Sequence, residues 1–257
     1  MIQYYAMTQK GSARSENEDR VLADKRILPE GGAGGSFASE FFSVICDGVG
    51  SCPGGAEAAQ TAAEVFLIYR DLAFSDLSIR RAMLAANEEI LAGQRSGEKN
   101  RHMSTTVTGL SIRNRSAMIF HVGDCRAYRF ADSRLELLTE DHTRAWELYR
   151  TGRVPDARDA PTSERRTVTR YLGGKCALCM PAFYYDSIPE EGCLYLLCSD
   201  GLWGRTKEAE LCAVLRQERS LDEKSRALTE LALHKGSTDD ISLVLILCPP
   251  LHEMTDG

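Results

Sequence analysis

Residues 105–138 read TTVTGLSIRNRSAMIFHVGDCRAYRFADSRLELL. Thr105 to Ile112, Ala117 to Val122, Arg126 to Phe130 and Leu135 to Leu138 are short β-rich pieces, and Asn114-Arg115 and Asp132-Ser133 punctuate them as turns. The spacing predicts an antiparallel meander. Upstream, the apolar, β-rich run Phe41 to Cys46 stops abruptly at Asp47-Gly48-Val49-Gly50, a strand followed by a tight turn. Before it, Gly31 to Ser36 reads as a flexible hairpin tip between two strand-like pieces. Two helices are predicted over 55–73 and 76–92, the second with Ile79, Met83, Ala86 and Ile90 as a core stripe and Ser75 or Asp76 placed to cap it. Downstream, 143–151 reads as helix and 153–165, with two prolines and many charges, as a mobile surface segment. The chain closes on a strand from Cys193 to Cys198, helices over 208–217 and 221–235 with Gly236 as a cap, and a strand from Ile241 to Cys248. Strands in runs and helices in pairs imply an α+β fold, two antiparallel β-sheets packed as a sandwich with helix pairs outside. With no internal repeat, residues 1–257 read as one domain.

Composition narrows the function classes. Hydrophobic residues make up 43% of the 257 and charged residues 26%, which excludes wholesale disorder and a disulfide-stapled miniature fold. Acids outnumber bases 37 to 31, a net charge of -6 with no concentrated basic patch, so no nucleic-acid partner is expected. The opening Met1-Ile2-Gln3-Tyr4-Tyr5 lacks a basic region leading into an apolar stretch, so export is not expected. The longest apolar run, Ile241 to Cys248, is far short of the ~18 residues of a membrane span, so no membrane partner is expected either. Nine cysteines, several inside strand-like runs, read as free thiols in a reducing cytoplasm. Cys176 and Cys179 have zinc-like spacing, but no second pair completes a tetrahedral site.

Five acidic clusters fall at predicted strand ends or in the turns beside them: Glu18-Asp19, Asp47-Gly48, Asp124, Asp200-Gly201 and Asp239-Asp240. A lone Asp-Gly is an ordinary turn. Five on one rim of a sandwich would repel one another unless cations neutralise them. Oxygen donors without a His or Cys companion select Mg²⁺ or Mn²⁺, and two such ions sharing a carboxylate suit hydrolysis of a phosphoryl group.

The wording and order of these clusters resemble the metal-dependent serine/threonine protein phosphatases of type 2C, especially their compact bacterial members. The resemblance is carried by RSENED at 14–19, VICDGVG at 44–50, STT at 104–106, HVGDCRAY at 121–128, LTEDH at 138–142, LCSDGLW at 197–203 and GSTDDIS at 236–242. It implies hydrolysis of phosphoserine and phosphothreonine on proteins by direct attack of a metal-bridging hydroxide. Asp47 matches the aspartate bridging two catalytic ions, the Gly48 carbonyl a ligand of one, Glu18 a second-metal contact, and Asp19 a contact made through water. Asp200 and Asp239 match ligands of the first metal. Asp124, with a share of Asp200, matches a third, weakly held ion, although Gly204 stands where some members carry another aspartate. Arg14 matches the arginine that grips the substrate phosphate, so Arg14 and Asp47 are the expected catalytic residues. The variable segment 143–182 corresponds to the family's flap and is expected to set specificity.

Two departures stand out. Asp240 replaces an asparagine beside the metal ligand, and Val49 stands where some members carry a proton-donating histidine; His121 and His142 read as packing or cap residues. The resemblance further implies phosphoprotein substrates and an opposing Ser/Thr kinase, for a chain expected to be a cytoplasmic monomer. Two other classes compete. An inactive phosphoprotein-binding module would have lost ligands that are all present here, and a two-metal nuclease is opposed by the acidic balance.

Overall fold

The computed structural model describes residues 1–49, 54–72, 74–96, 100–175 and 179–251. Gly50, Ala73, Cys176 and the last six residues, on which parts of the expectations above fell, lie outside them. The fold is the expected α+β sandwich of two six-stranded antiparallel sheets. One sheet runs β4 (Gly31–Phe37), β1 (Ile2–Gln9), β12 (Ile241–Cys248), β11 (Cys193–Cys198), β8 (Arg126–Ala131), β9 (Arg134–Leu137). The other runs β10 (Ala182–Ser187), β7 (Ser116–Val122), β6 (Val107–Arg113), β5 (Glu40–Asp47), β2 (Asp19–Ala23), β3 (Arg26–Leu28).

Side chains alternate across each strand, so central strands feed two cores. In β5, Ile45 enters the core between the sheets, while Phe42, Val44 and Cys46 face α1 (Gly55–Tyr69) and α2 (Asp76–Arg95). In β12, Val244 and Ile246 point between the sheets, and Ile241, Leu243 and Leu245 point at α5 (Asp200–Trp203), α6 (Glu208–Leu215) and α7 (Leu221–His234). Burial on both faces explains why β12 is apolar at every position but Ser242. Small residues Ala58, Ala59, Ala62 and Ala63 let α1 lie close on its sheet. The predicted stripe Ile79, Met83, Ala86 and Ile90 is fully buried, and the Ser75 hydroxyl caps α2 by accepting from Ser78 N.

Three expectations are corrected. Gly31 to Ser36 is no hairpin tip but most of edge strand β4, paired with β1 from Ile2↔Phe37 to Thr8↔Gly31. Its glycines make room for the tyrosines of β1: a Cβ on Gly32 would stand 2.6 Å from the Tyr5 hydroxyl, and one on Gly35 would stand 2.8 Å from the Tyr4 ring. The predicted meander is two hairpins on different sheets, β6–β7 and β8–β9, because the chain crosses between sheets at Gly123, whose φ of +123° an L side chain rarely adopts. The 153–165 segment carries a 3₁₀ turn at Ala157–Asp159 and the short α4 (Thr162–Arg165), following α3 (Arg144–Arg150). Strands β1 and β10 and the single turn of α5 had no separate signal in the sequence, and the strand-like piece read before Gly31 is divided into β2 and β3.

Candidate active site

All the acidic site residues predicted from sequence come to one rim of the sandwich. Asp19 opens β2 and lies opposite Asp47, which closes β5. The turn after Asp47 is pinned on three sides: the Asp47 carbonyl accepts from Thr106 N at 2.8 Å and Thr105 Oγ1 at 2.9 Å, and Gly48 N donates to the Glu18 carbonyl at 3.2 Å. Gly48 leaves no room for a side chain, since a Cβ there would lie 2.5 Å from the Gly55 backbone at the start of α1. Asp124 occupies the crossing between sheets, and Asp200 opens α5, whose Trp203 Nε1 donates back to the Asp124 carbonyl at 3.0 Å. Asp239 and Asp240 immediately precede β12.

Arg14 lies among these acids. Its Nε donates to Asp239 Oδ1 at 2.7 Å and its Nη1 to Glu18 Oε2 at 2.9 Å, with its side chain about one quarter exposed. One guanidinium therefore bridges two of the predicted metal ligands.

The crowding of carboxylates shows in their proton affinities. Burial, then the charges of Asp19, Asp200, Asp124 and Asp239, hold Asp47 well above the usual carboxylate range. Burial and Asp200 do the same for Asp124. Burial pushes Asp19 up to about 7, and burial with Asp239 pushes Asp200 up to about 6. Asp19 is 1% exposed and its Oδ2 has no hydrogen-bond partner. A buried, orphaned carboxylate oxygen is rare and points to a missing ligand atom or water.

A family model described as protein phosphatase 2C matches residues 35–235. The chain belongs to the protein phosphatase 2C family. It is 27% identical over 251 residues to the serine/threonine phosphatase stp of Listeria welshimeri, an alignment covering 93% of each chain. It is 28% identical over 248 residues to the serine/threonine protein phosphatase PstP of Mycobacterium tuberculosis, covering 95% of this chain and 45% of that one. Among solved structures, Stp1 from Staphylococcus aureus superposes with a TM-score of 0.84 at 22% identity, covering 96% of this chain and 95% of the other, and shows the shared fold. A PstP catalytic domain in complex with two manganese ions superposes with a TM-score of 0.76 at 24% identity, over 97% and 100% of the two chains. The resemblance read from the sequence stands, and the chain is a protein serine/threonine phosphatase in kind.

In this protein phosphatase 2C chain the donor set suits a hard divalent ion: carboxylate and carbonyl oxygens and an orphaned Asp19 oxygen, with the buried Cys125 thiol beside them donating to Asp47 Oδ2 at 3.9 Å. Among the described residues no three acidic, His or Cys side chains close into a ready-made cage. That is compatible with Mg²⁺ or Mn²⁺, which keep several waters and take few protein ligands. Six cysteines, Cys46, Cys125, Cys193, Cys198, Cys212 and Cys248, are buried free thiols, as expected of small hydrophobes. Cys179 is buried, and its spacing partner Cys176 lies outside the described residues. Among those residues no helix is long and apolar enough to cross a membrane.

Sequence reasoning gave no separate role to Thr105, Thr106 and Arg126, and its reading of His121 and His142 as packing or cap residues stands. Thr105 and Thr106 pin Asp47, and Thr105 also pairs with Leu172, tying the 143–182 segment to the Asp47 turn. His142 accepts from Gly123 N at 3.0 Å, returns its own N–H to the Gly123 carbonyl at 2.7 Å, and stacks on His121 at 4.7 Å. Burial pulls His121 down to about 3 and His142 to about 2, and as neutral rings they fix the crossing at Gly123. Arg126 forks onto Asp141 at 2.9 and 2.8 Å and stacks 3.6 Å over the Trp203 ring. The signal for all of these lay in the motif words themselves: STT holds Thr105 and Thr106, HVGDCRAY holds His121 and Arg126, and LTEDH holds Asp141 and His142.

Proposed function

We propose that this chain, as one catalytic unit, removes phosphate from phosphoserine and phosphothreonine on protein substrates, with two Mn²⁺ or Mg²⁺ ions at the acidic rim. The observation that carries this reading is the convergence of Glu18, Asp19, Asp47, Asp200 and Asp239 from separate segments onto one another, with a buried Asp19 oxygen lacking any partner. Asp47 and the Gly48 carbonyl would hold both ions together with Glu18, Asp200 and Asp239; Asp19 would act through water, and Asp124 with Asp200 would hold a weaker third ion. When bound, the ions supply an activated water that attacks phosphorus directly and offset the phosphate charge.

The remaining work falls to the chain. Arg14 presents a planar fork already matched to carboxylate oxygens, and the same geometry grips two phosphate oxygens and sets the ester for in-line displacement. The backbone turn at Asp47 is fixed before substrate arrives, so little reorganisation is needed. Val49 offers no proton, so the leaving alkoxide takes its proton from water. The flap segment 143–182 faces the protein substrate, and the phosphates it removes imply an opposing Ser/Thr kinase.

Phosphate release from a phosphothreonine peptide, followed with and without Mn²⁺, tests the reading. Turnover that rises with Mn²⁺ and vanishes in chelator is expected. Turnover indifferent to chelator, or none at saturating Mn²⁺, would overturn it.

A further inference from the structure

The loop carrying Arg14 and Glu18 is docked onto the segment just before β12. Ala13 N donates to the Thr238 carbonyl at 3.0 Å. At one end of the loop Gly11 N donates to Asp240 Oδ1 at 2.8 Å, and at the other Glu18 N donates to Asp240 Oδ2 at 2.8 Å. Asp240 is 3% exposed, so water does not stand in for either bond. The docking leaves no slack: a Cβ on Gly11 would lie 2.3 Å from the Asp239 carbonyl carbon, and one on Gly201 would lie 1.9 Å from the Asp240 carbonyl oxygen. Asp240 thus joins three pieces of the site, the loop at 11–18, Asp239 beside it in sequence, and the turn that begins α5 at Asp200.

We infer that Asp240 is the positioning residue of this site, a carboxylate staple whose two oxygens each take a backbone N–H from opposite ends of the Arg14 loop and hold Arg14 and Glu18 in register with Asp239. What the loop does rests on the proposed function; the staple rests on geometry alone. Two converging N–H donors require two acceptors, which a carboxylate has and an amide does not. With asparagine here, the residue of the family pattern, one end of the side chain would set N–H against N–H in a dry site. The substitution that departs from the family is therefore fitted to this chain's own loop, and reverting it is harmful.

The test is Asp240→Asn in the full chain, read three ways: amide hydrogen exchange at Gly11 and Glu18, Mn²⁺ binding by calorimetry, and kcat and KM on a phosphopeptide. Loss of one buried charge-assisted bond predicts exchange about tenfold faster at one of the two amides, Mn²⁺ binding about tenfold weaker, and KM raised by a similar factor with kcat changed less. Should the variant not fold, through-bond NMR couplings from the Gly11 and Glu18 amides to the Asp240 side-chain carboxyl in the unaltered protein decide the staple, and their absence overturns it. Unchanged exchange in Asp240→Asn overturns it as well. Faster exchange with unchanged Mn²⁺ affinity and KM would leave a bond that positions nothing, and overturns the role. Exchange and calorimetry use no substrate, so an unaltered protein without phosphatase turnover would sink the proposed function and leave the staple standing.

Discussion

The two ends of the sandwich use the same residue type for opposite purposes. At one end Asp24 and Asp132 sit in tight turns at φ of 54° and 48°, and Asp132, with Ser133 at 58°, closes the β8–β9 hairpin in solvent. Asn114 and Arg115 close β6–β7 in the same way, at φ of 49° and 60°. There the short polar side chain is useful because it tolerates the left-handed region. At the other end Asp19, Asp124 and Asp240 are buried, Asp47 and Asp200 are half-buried beside them, and burial with mutual repulsion raises all five above the ordinary range. A turn aspartate stabilises the fold where it stands. A rim aspartate such as Asp47 carries a desolvation cost in the fold, and the proposed function gives it a use in what it binds.

That contrast is sharpest at Asp47. Asp47→Asn should lower Mn²⁺-dependent turnover by at least about a hundredfold, the several kcal/mol that an ion contributes to a phosphoryl transition state. Its melting temperature without metal should stay level or rise, because one desolvated, repelled carboxyl is gone. Parallel kinetics and thermal unfolding read both, and a variant that keeps turnover would remove Asp47 from the centre.

Arg14→Ala comes next. KM for a phosphopeptide should rise about tenfold or more, with Mn²⁺ affinity nearly unchanged and only partial rescue by Lys, whose point charge cannot fork onto two oxygens. Asp124→Ala should then cost about tenfold in turnover and abolish a loose activating phase in the Mn²⁺ titration, sparing the tighter phase. Identical titration curves for variant and native protein would return Asp124 to the class of turn residues.

Proton linkage separates the rim carboxylates from the imidazoles packed beside them without mutation. Asp19 at about 7 and Asp200 at about 6 are raised in the fold, so their share of metal-free stability is complete below the unfolded carboxylate range and is lost as pH rises through 6 to 7. His121 at about 3 and His142 at about 2 are lowered, so their share is complete above the ordinary histidine range and is lost as pH falls toward 3. Protons therefore compete with metal at the rim up to about pH 7, and the melting-temperature gain from saturating Mn²⁺ should grow by roughly 5 °C between pH 5 and pH 8. A gain that shrinks with pH would contradict the raised carboxylates. The smallest effect belongs to the solvent end: Asp132→Asn should change stability by no more than about 0.5 kcal/mol and turnover not at all.

The same two ends show what the sequence could disclose. Asn114-Arg115 and Asp132-Ser133 were readable as turns because the flanking β-rich pieces framed them. The rim was readable only because five acidic clusters recur in a known order, since nothing local distinguishes Asp124 from Asp132. Periodicity could not say that β6–β7 and β8–β9 belong to different sheets; that depends on Gly123, whose backbone turn leaves no mark in an alternation of side chains. Gly31 to Ser36 does not read as a strand in the sequence because its glycine-rich backbone packs under Tyr4 and Tyr5, contributed by another strand. Asp240 was seen as an added charge, and its partners are backbone amides that no pattern of residue types records.

The pairing of β1 with β12, from Gln3↔Leu247 to Gln9↔Ile241, also sets an order of events during synthesis. Strands β2, β3, β5, β6 and β7 with both helices of the first layer lie within residues 19–122, and that half can assemble while the rest is still being made. The sheet containing β1 has to wait, since its second strand must find a partner more than 230 residues away, a closure that comes late. Arg14 and Glu18 are held against residues 238–240 by the same closure, so the acidic rim is completed only once those residues have emerged. A chain interrupted before residue 238 carries Asp19 and Asp47 side by side but lacks the segment on which the Arg14 loop docks.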